Sequence, residues 1–268
     1  MSQNAKSRRE RAAQARNSAQ SAEKKRERIV RIVGAATVGV VVVAIIGVAV
    51  VVSGQQESTS ADGSLAGIVD PDPAAVTPAG VFGADTDTPF GVPYGTAAAD
   101  APVLELWEDF QCPACGALEV ANGAGIKQLA EEGAIQLIYR PTAFLDSNLG
   151  NDSSHRAIAA WGCAIDAGIT KEFHANVYAN QPEVEGTGWT NEVLIGFGSS
   201  AGLTGPELES FTQCVNDGTY LAWAANSTDQ FYTNQISGTP SGFLNGEPVG
   251  TEILADQTKL AELVASKK

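Results

Sequence analysis

The chain has 268 residues, 44% of them apolar and 18% charged, with four cysteines. Its net charge is −14, and residues beyond 52 hold seven Lys and Arg against 28 Asp and Glu. That acidity argues against nucleic acid or anionic lipid as partners of this part, because both are held by basic patches.

Residues 1–31 are the opposite, with ten Lys and Arg against three Asp and Glu. Residues 32–52 follow, 21 in a row without a charge and with only Thr37 polar. At about 1.5 Å per residue such a helix spans a hydrocarbon core of about 30 Å. The basic flank predicts a cytoplasmic N-terminus and an extracytoplasmic remainder, a single-pass protein of the cell membrane. A cleaved signal peptide would have a shorter apolar run and a small-residue cleavage site, so an uncleaved anchor is expected. Residues 53–80 are Gly, Ser, Gln, Asp, Ala and Pro with few large apolar side chains, the composition of a flexible linker. Residues 81–268 are the length of one domain and enough to bury a continuous core.

Within that domain, residues 103–111 read as a strand and short turn, and Ala117-Leu118-Glu119-Val120 begins a helical pattern. Between them stands Cys112-Pro113-Ala114-Cys115. A thiolate, not a thiol, attacks a disulfide, and the free N–H groups and positive end of a helix N-terminus lower a thiol pKa. Cys112 is therefore expected as the nucleophile. Cys115, about one turn further in and more buried, is expected to resolve the mixed disulfide. Pro113 suits the first helical turn, having no N–H to satisfy, and Ala114 brings no donor to the sulfur. A zinc ribbon would need a second Cys-x-x-Cys, which the sequence lacks, so no metal is expected. If Cys112 pairs with Cys115, Cys163 and Cys214 remain as a structural disulfide.

Residues 134–139 alternate as a second strand ending before Pro141, completing a βαβ unit. A helical region follows, about 152–235. Asp152 or Ser153 caps a helix carrying Ile158, Trp161 and Ile165, which Gly168 stops. Thr190 caps a second helix, Thr204 with Pro206 starts a third, and residues 220–235 form a longer one. Residues 237–249 read as strand, Asn245-Gly246 turn and strand, a β-hairpin, and residues 256–266 as a closing helix. His155 and His174, without a carboxylate cluster nearby, are expected in structural or surface roles.

This order, with Asp100-Ala101-Pro102-Val103, Glu108-Asp109-Phe110, Gln111-Cys112-Pro113-Ala114-Cys115 and Gly238-Thr239-Pro240, resembles the DsbA-like thiol-disulfide oxidoreductases, especially the membrane-anchored actinobacterial ones. Trp161-Gly162-Cys163-Ala164, Phe173-His174 and Asn180-Gln181-Pro182 agree as well. The resemblance implies an α/β thioredoxin fold with a helical insertion, needing no prosthetic group. It makes Pro240 a cis-proline facing the cysteines, with Thr239 offering backbone groups to an extended client. It further implies reduced secreted proteins as clients and a quinone-linked membrane partner of the DsbB or VKOR type. A reductase or isomerase, or a redox-inactive adaptor, would share the fold.

Two departures from the family stand out. Its buried acid six residues before the first cysteine is Leu106 here, and Glu105 and Glu108 are expected on the opposite face, so no general base is named. Ala114 replaces a histidine of the strongly oxidising members, which predicts a less oxidising couple within the fold's range of about −120 to −270 mV.

Overall fold

A computed structural model describes residues 68–84, 86, 88–95 and 100–267. The expected cytoplasmic tail, membrane anchor and first part of the linker lie outside these residues. Among the described residues no helix is long and apolar enough to cross a membrane.

Five strands form one mixed sheet in the order β1-β3-β2-β4-β5: β1 (Val92–Tyr94), β2 (Val103–Glu108), β3 (Gln136–Pro141), β4 (Ser241–Leu244) and β5 (Glu247–Val249). β2 and β3 run parallel, in register from Val103 opposite Gln136 to Glu108 opposite Pro141. The other pairings are antiparallel. Parallel neighbours need a crossover connection, here α1 (Pro113–Leu118), a five-residue π segment (Glu119–Gly123) and α2 (Ala124–Glu131). The Asn245-Gly246 turn joins β4 to β5 with both residues at positive φ, 52° and 81°, as a tight two-residue hairpin turn requires.

Between β3 and β4 stand α3 (Phe144–Leu149), α4 (Ser153–Asp166), α5 (Thr170–Ala179), α6 (Asn191–Ser200), α7 (Gly205–Asn216) and α8 (Leu221–Thr233), and α9 (Thr251–Leu254) and α10 (Gln257–Ala265) close the chain. The expected βαβ, helical insertion and ββα order is present. α4 is almost wholly buried, with Ile158, Trp161 and Cys163 inside. A disulfide joins Cys163 on α4 to Cys214 on α7, with the Cα atoms 5.9 Å apart.

The structure adds elements that the pattern did not announce. β1 is a three-residue edge strand, Val-Pro-Tyr, too short for alternation to register and tolerant of proline because it lies at the edge. α3 and α9, at six and four residues, are likewise too short for a helical period. The last part of the expected linker does not hang free. Asp72 and Asn226 exchange two hydrogen bonds of 2.7 Å, the Ala79 N–H donates to Asp166 at 2.8 Å, and Pro78 is buried. Short polar residues that read as a linker here find backbone and side-chain partners on the domain.

Candidate active site

β2, the central strand, delivers the chain to its carboxyl end, where Phe110 packs inward against Trp161 and Tyr178. The turn then closes, as Cys112 N–H donates to the Asp109 carbonyl at 3.0 Å. Cys112 is the N-cap of α1, with φ −69° and ψ 117°, and Pro113 occupies the first turn. The Cys112 carbonyl accepts from the N–H groups of Cys115 and Gly116 at 3.1 and 3.2 Å. Both thiols are free; Cys112 is 6% exposed and Cys115 2%. Facing them is the loop before β4, whose Thr239–Pro240 peptide bond is cis. The Cys112 Sγ lies 3.3 Å from the Thr239 carbonyl oxygen. The structure thus brings Cys112, Cys115, Thr239 and Pro240 together, while Cys163 and Cys214 lie apart on the helical insertion.

The two thiols are electrostatically unlike. The Cys112 pKa is lowered to about 6: the hydrogen bond from Cys115 is the largest cause, desolvation opposes it, and Thr239 and the amides of Cys115 and Ala114 assist. Cys115 is pushed well above the ordinary thiol value, by burial first and then by its bond to Cys112. Titration of thiolate absorbance is expected to show a single group with its midpoint near 6. Cys115→Ala should move that midpoint upward, since it removes the largest stabilising bond. An unmoved midpoint would mean that the helix amides alone hold the charge. The Cys112 contribution to the stability of the reduced protein is present above the ordinary thiol pKa and lost as pH falls through about 6.

Two carboxyl groups behind the thiols run the other way. Burial raises Glu108 to about 8 and Asp109 to about 7. Their contributions are present below the ordinary carboxylate range and lost as pH rises through those values. Asp109 accepts from the Ser154 hydroxyl at 2.5 Å and from the N–H groups of Gln111 and Leu145. Asp146 accepts from Gln111 Nε2 at 2.6 Å, from two backbone N–H groups of α4, and pairs with His155 Nδ1 at 2.8 Å. This network ties the cysteine turn to the helical insertion. Gln181, in the loop after α5, adds a clamp: its Nε2 donates to the carbonyls of Phe110 and Cys112 at 2.8 and 2.9 Å. Gly116 makes room for it, since a Cβ there would meet Gln181 Oε1 at 2.2 Å.

Two expectations from the sequence are corrected here. Glu108 does not face away from Leu106. Period-two alternation puts Leu104, Leu106 and Glu108 on one face, so Glu108 is buried, while Glu105 on the other face bonds Arg140 at 2.7 Å. Both histidines are buried, in keeping with the structural alternative, but neither lacks a carboxylate: His155 sits on Asp146, and His174 Nε2 lies 2.5 Å from Glu108 Oε1. The partner is nine residues away in the first case and 66 in the second. Asp109 and Gln181 stand in motifs that carry the family resemblance, but without a role assigned to them, and Asp146 carried no signal that separates it from surface polar residues.

The thioredoxin family's sequence model matches residues 88–261. No curated protein matches the chain. Among solved structures, MdbA from Actinomyces oris, a thiol-disulfide oxidoreductase, is 25% identical with a TM-score of 0.56, over 66% of this chain and 87% of that one. The reduced disulfide bond oxidoreductase DsbG from Mycobacterium tuberculosis is 26% identical, TM-score 0.55, over 65% and 87%. Reduced DsbA from the same organism is 25% identical, TM-score 0.52, over 67% of this chain and all of that one. With one thiol of lowered pKa and a second, more deeply buried one at the head of a helix packed on this sheet, the chain belongs to the thioredoxin family and is a DsbA-like thiol-disulfide oxidoreductase.

Proposed function

We propose that the protein donates a Cys112–Cys115 disulfide to secreted or cell-envelope proteins during their oxidative folding. A client thiolate attacks Cys112, the Cys112–Cys115 bond breaks, and a client–Cys112 disulfide forms. A second client thiol then displaces Cys112, leaving an oxidised client and two enzyme thiols. The observation that carries this direction is the low pKa of Cys112: a stabilised thiolate is a good leaving group and favours the reduced enzyme. Thr239 and Pro240 would line the client's path, with backbone groups that pair with an extended chain of any sequence. Pro113 and Ala114 complete the motif, and the Cys163–Cys214 bond serves structure.

Residues 32–52 would anchor the domain outside the cell membrane, with residues 1–31 in the cytoplasm, where the basic flank belongs. Turnover then requires an acceptor for two electrons, supplied by a quinone-linked membrane partner of the DsbB or VKOR type. Ala114 gives the thiolate no side-chain donor, so the couple should be less oxidising than in members with histidine there. Thiol trapping in growing cells tests the direction of electron flow. Cys112 and Cys115 are expected oxidised at steady state. A pair found mainly reduced would instead make the protein a reductase or isomerase, and a pair that resists mild reductant would make it an adaptor.

A further inference from the structure

Gln111, the residue before the reactive cysteine, sends its side chain away from the sulfur and into the helical insertion, and it is 3% exposed. Its Nε2 donates to Asp146 Oδ1 at 2.6 Å and lies 2.9 Å from Ser154 Oγ and 3.0 Å from Asn151 Oδ1. Asn151 Nδ2 donates in return to Gln111 Oε1 at 3.2 Å, so the two amides are paired in both directions. The loop 181–189 closes over the pair. The Gly186 carbonyl accepts from Asn151 Nδ2 at 3.0 Å, and a Cβ on Gly188 would collide with Ser153 and stand 3.3 Å from Gln111 Oε1. The place suits a neutral amide. Two buried carboxyls flank residue 111, Asp109 on its backbone N–H and Asp146 on its side chain. A glutamate there would set a third carboxyl beside them with no N–H to offer.

The partners of Gln111 are held without it. Asp146 keeps the N–H groups of Ser154 and His155 and the His155 ring, Asn151 keeps the Ser153 N–H and the Gly186 carbonyl, and Ser154 keeps Asp109. The dependence runs the other way, from the insertion to the cysteine turn. Gln181 Nε2 holds the carbonyls on either side of residue 111, those of Phe110 and Cys112, and the Gln111 side chain fixes the rotation of the segment between them. That rotation sets the direction of the Cys112 Sγ, which lies 3.3 Å from the Thr239 carbonyl and draws on the amides of Ala114 and Cys115. Hydrogen bonds weaken steeply with angle, so a small turn of the backbone is felt at the sulfur. We propose that Gln111 is a positioning residue for disulfide exchange: paired with Asn151, it aims the Cys112 sulfur at the donors that stabilise its thiolate. It touches no reacting atom and acts through the peptide bond it shares with Cys112. The inference rests on Cys112 being the exchanging sulfur of the function proposed above. It gives the helical insertion a part in the chemistry, with the segment that leads into α4 serving as the jig against which the cysteine turn is set.

The test is titration of thiolate absorbance in the reduced full chain, together with the rate at which Cys112 leaves a mixed disulfide with a dithiol peptide. In Gln111→Met, similar in volume but without the amide, the Cys112 midpoint is expected to rise from near 6 by about half a unit or more. With a Brønsted coefficient of about 0.5, departure of Cys112 should slow about twofold. Asn151→Ala, which leaves Gln111 in place with one partner fewer, should raise the midpoint by less, and the double variant should go no further than Gln111→Met alone. The exchanged pair, Gln111→Asn with Asn151→Gln, keeps two facing amides and should recover part of the shift shown by Gln111→Asn alone. A tie that served only stability would lower the denaturation midpoint and leave the Cys112 midpoint near 6; that result in Gln111→Met would overturn the proposal. Should Gln111→Met not fold, an unmoved Cys112 midpoint in Asn151→Ala would overturn it. No exchange by the unaltered chain would instead overturn the redox function itself, a distinguishable result.

Discussion

Replacing Cys115 with alanine is expected to leave clients trapped on Cys112 as mixed disulfides, whereas replacing Cys112 should trap none. The reason is geometric. Cys112, at the head of α1, lies against the Thr239 carbonyl at 3.3 Å with a pKa lowered to about 6, so it is the sulfur a client exchanges with. Cys115 is nearly sealed and remains a thiol well beyond neutral pH. Without it, Cys112 has no internal disulfide to offer; its thiolate instead attacks the disulfide of an already oxidised client, one client sulfur leaves as a thiolate, and no Cys115 is there to displace the client from Cys112. Gel mobility of alkylated cell extracts, with and without reductant, checks this. Equal trapping by the two variants would overturn the assignment of nucleophile and resolving thiol.

Removing the Cys163–Cys214 bond by substituting both cysteines with alanine is expected to cost stability without removing exchange activity. The bond closes a loop with a sequence separation of 51 residues. The chain-entropy model values such a crosslink at roughly 4 kcal/mol. It ties α4 to α7, and α4 carries Trp161 against Phe110 directly behind the cysteine turn. Denaturant unfolding of the oxidised protein should show a midpoint well below that of the unaltered chain, while Cys112 still titrates near 6. A variant of unchanged stability would place the insertion's cohesion in its apolar packing alone. A variant that lost the low Cys112 pKa would show that the bond also shapes the site.

Much of the fold is legible in local pattern, because local physics dictates it. Pro113 after Cys112 marks a helix start, Asn245-Gly246 needs two left-handed residues and so marks a hairpin, and Thr190 accepts the Val193 N–H as the helix cap it was read to be. Asp256 likewise caps α10, accepting from Thr258 and Lys259. What stayed hidden depends on contacts between distant segments. β1 exists because β3 offers it an edge, and nothing in Val-Pro-Tyr announces that. The acid beneath the cysteines is a sharper case. The position six residues before Cys112 is Leu106, yet two residues on, facing the same way, Glu108 meets a histidine 66 residues later. Alternation along β2 was enough to place Glu108 on the inner face; only the fold shows that His174 stands there to receive it. Gln181 is similar, a polar residue in a loop whose clamp on the Cys112 carbonyl exists only once the helical insertion docks.

The most direct test of disulfide donation is to mix the oxidised full chain with a reduced, unfolded protein and follow both partners' thiols. The account predicts that client thiols disappear as Cys112 and Cys115 become free, two for two, with a reduction potential above the thioredoxin value of about −270 mV. A client that stays reduced beside an unchanged Cys112–Cys115 disulfide would contradict it.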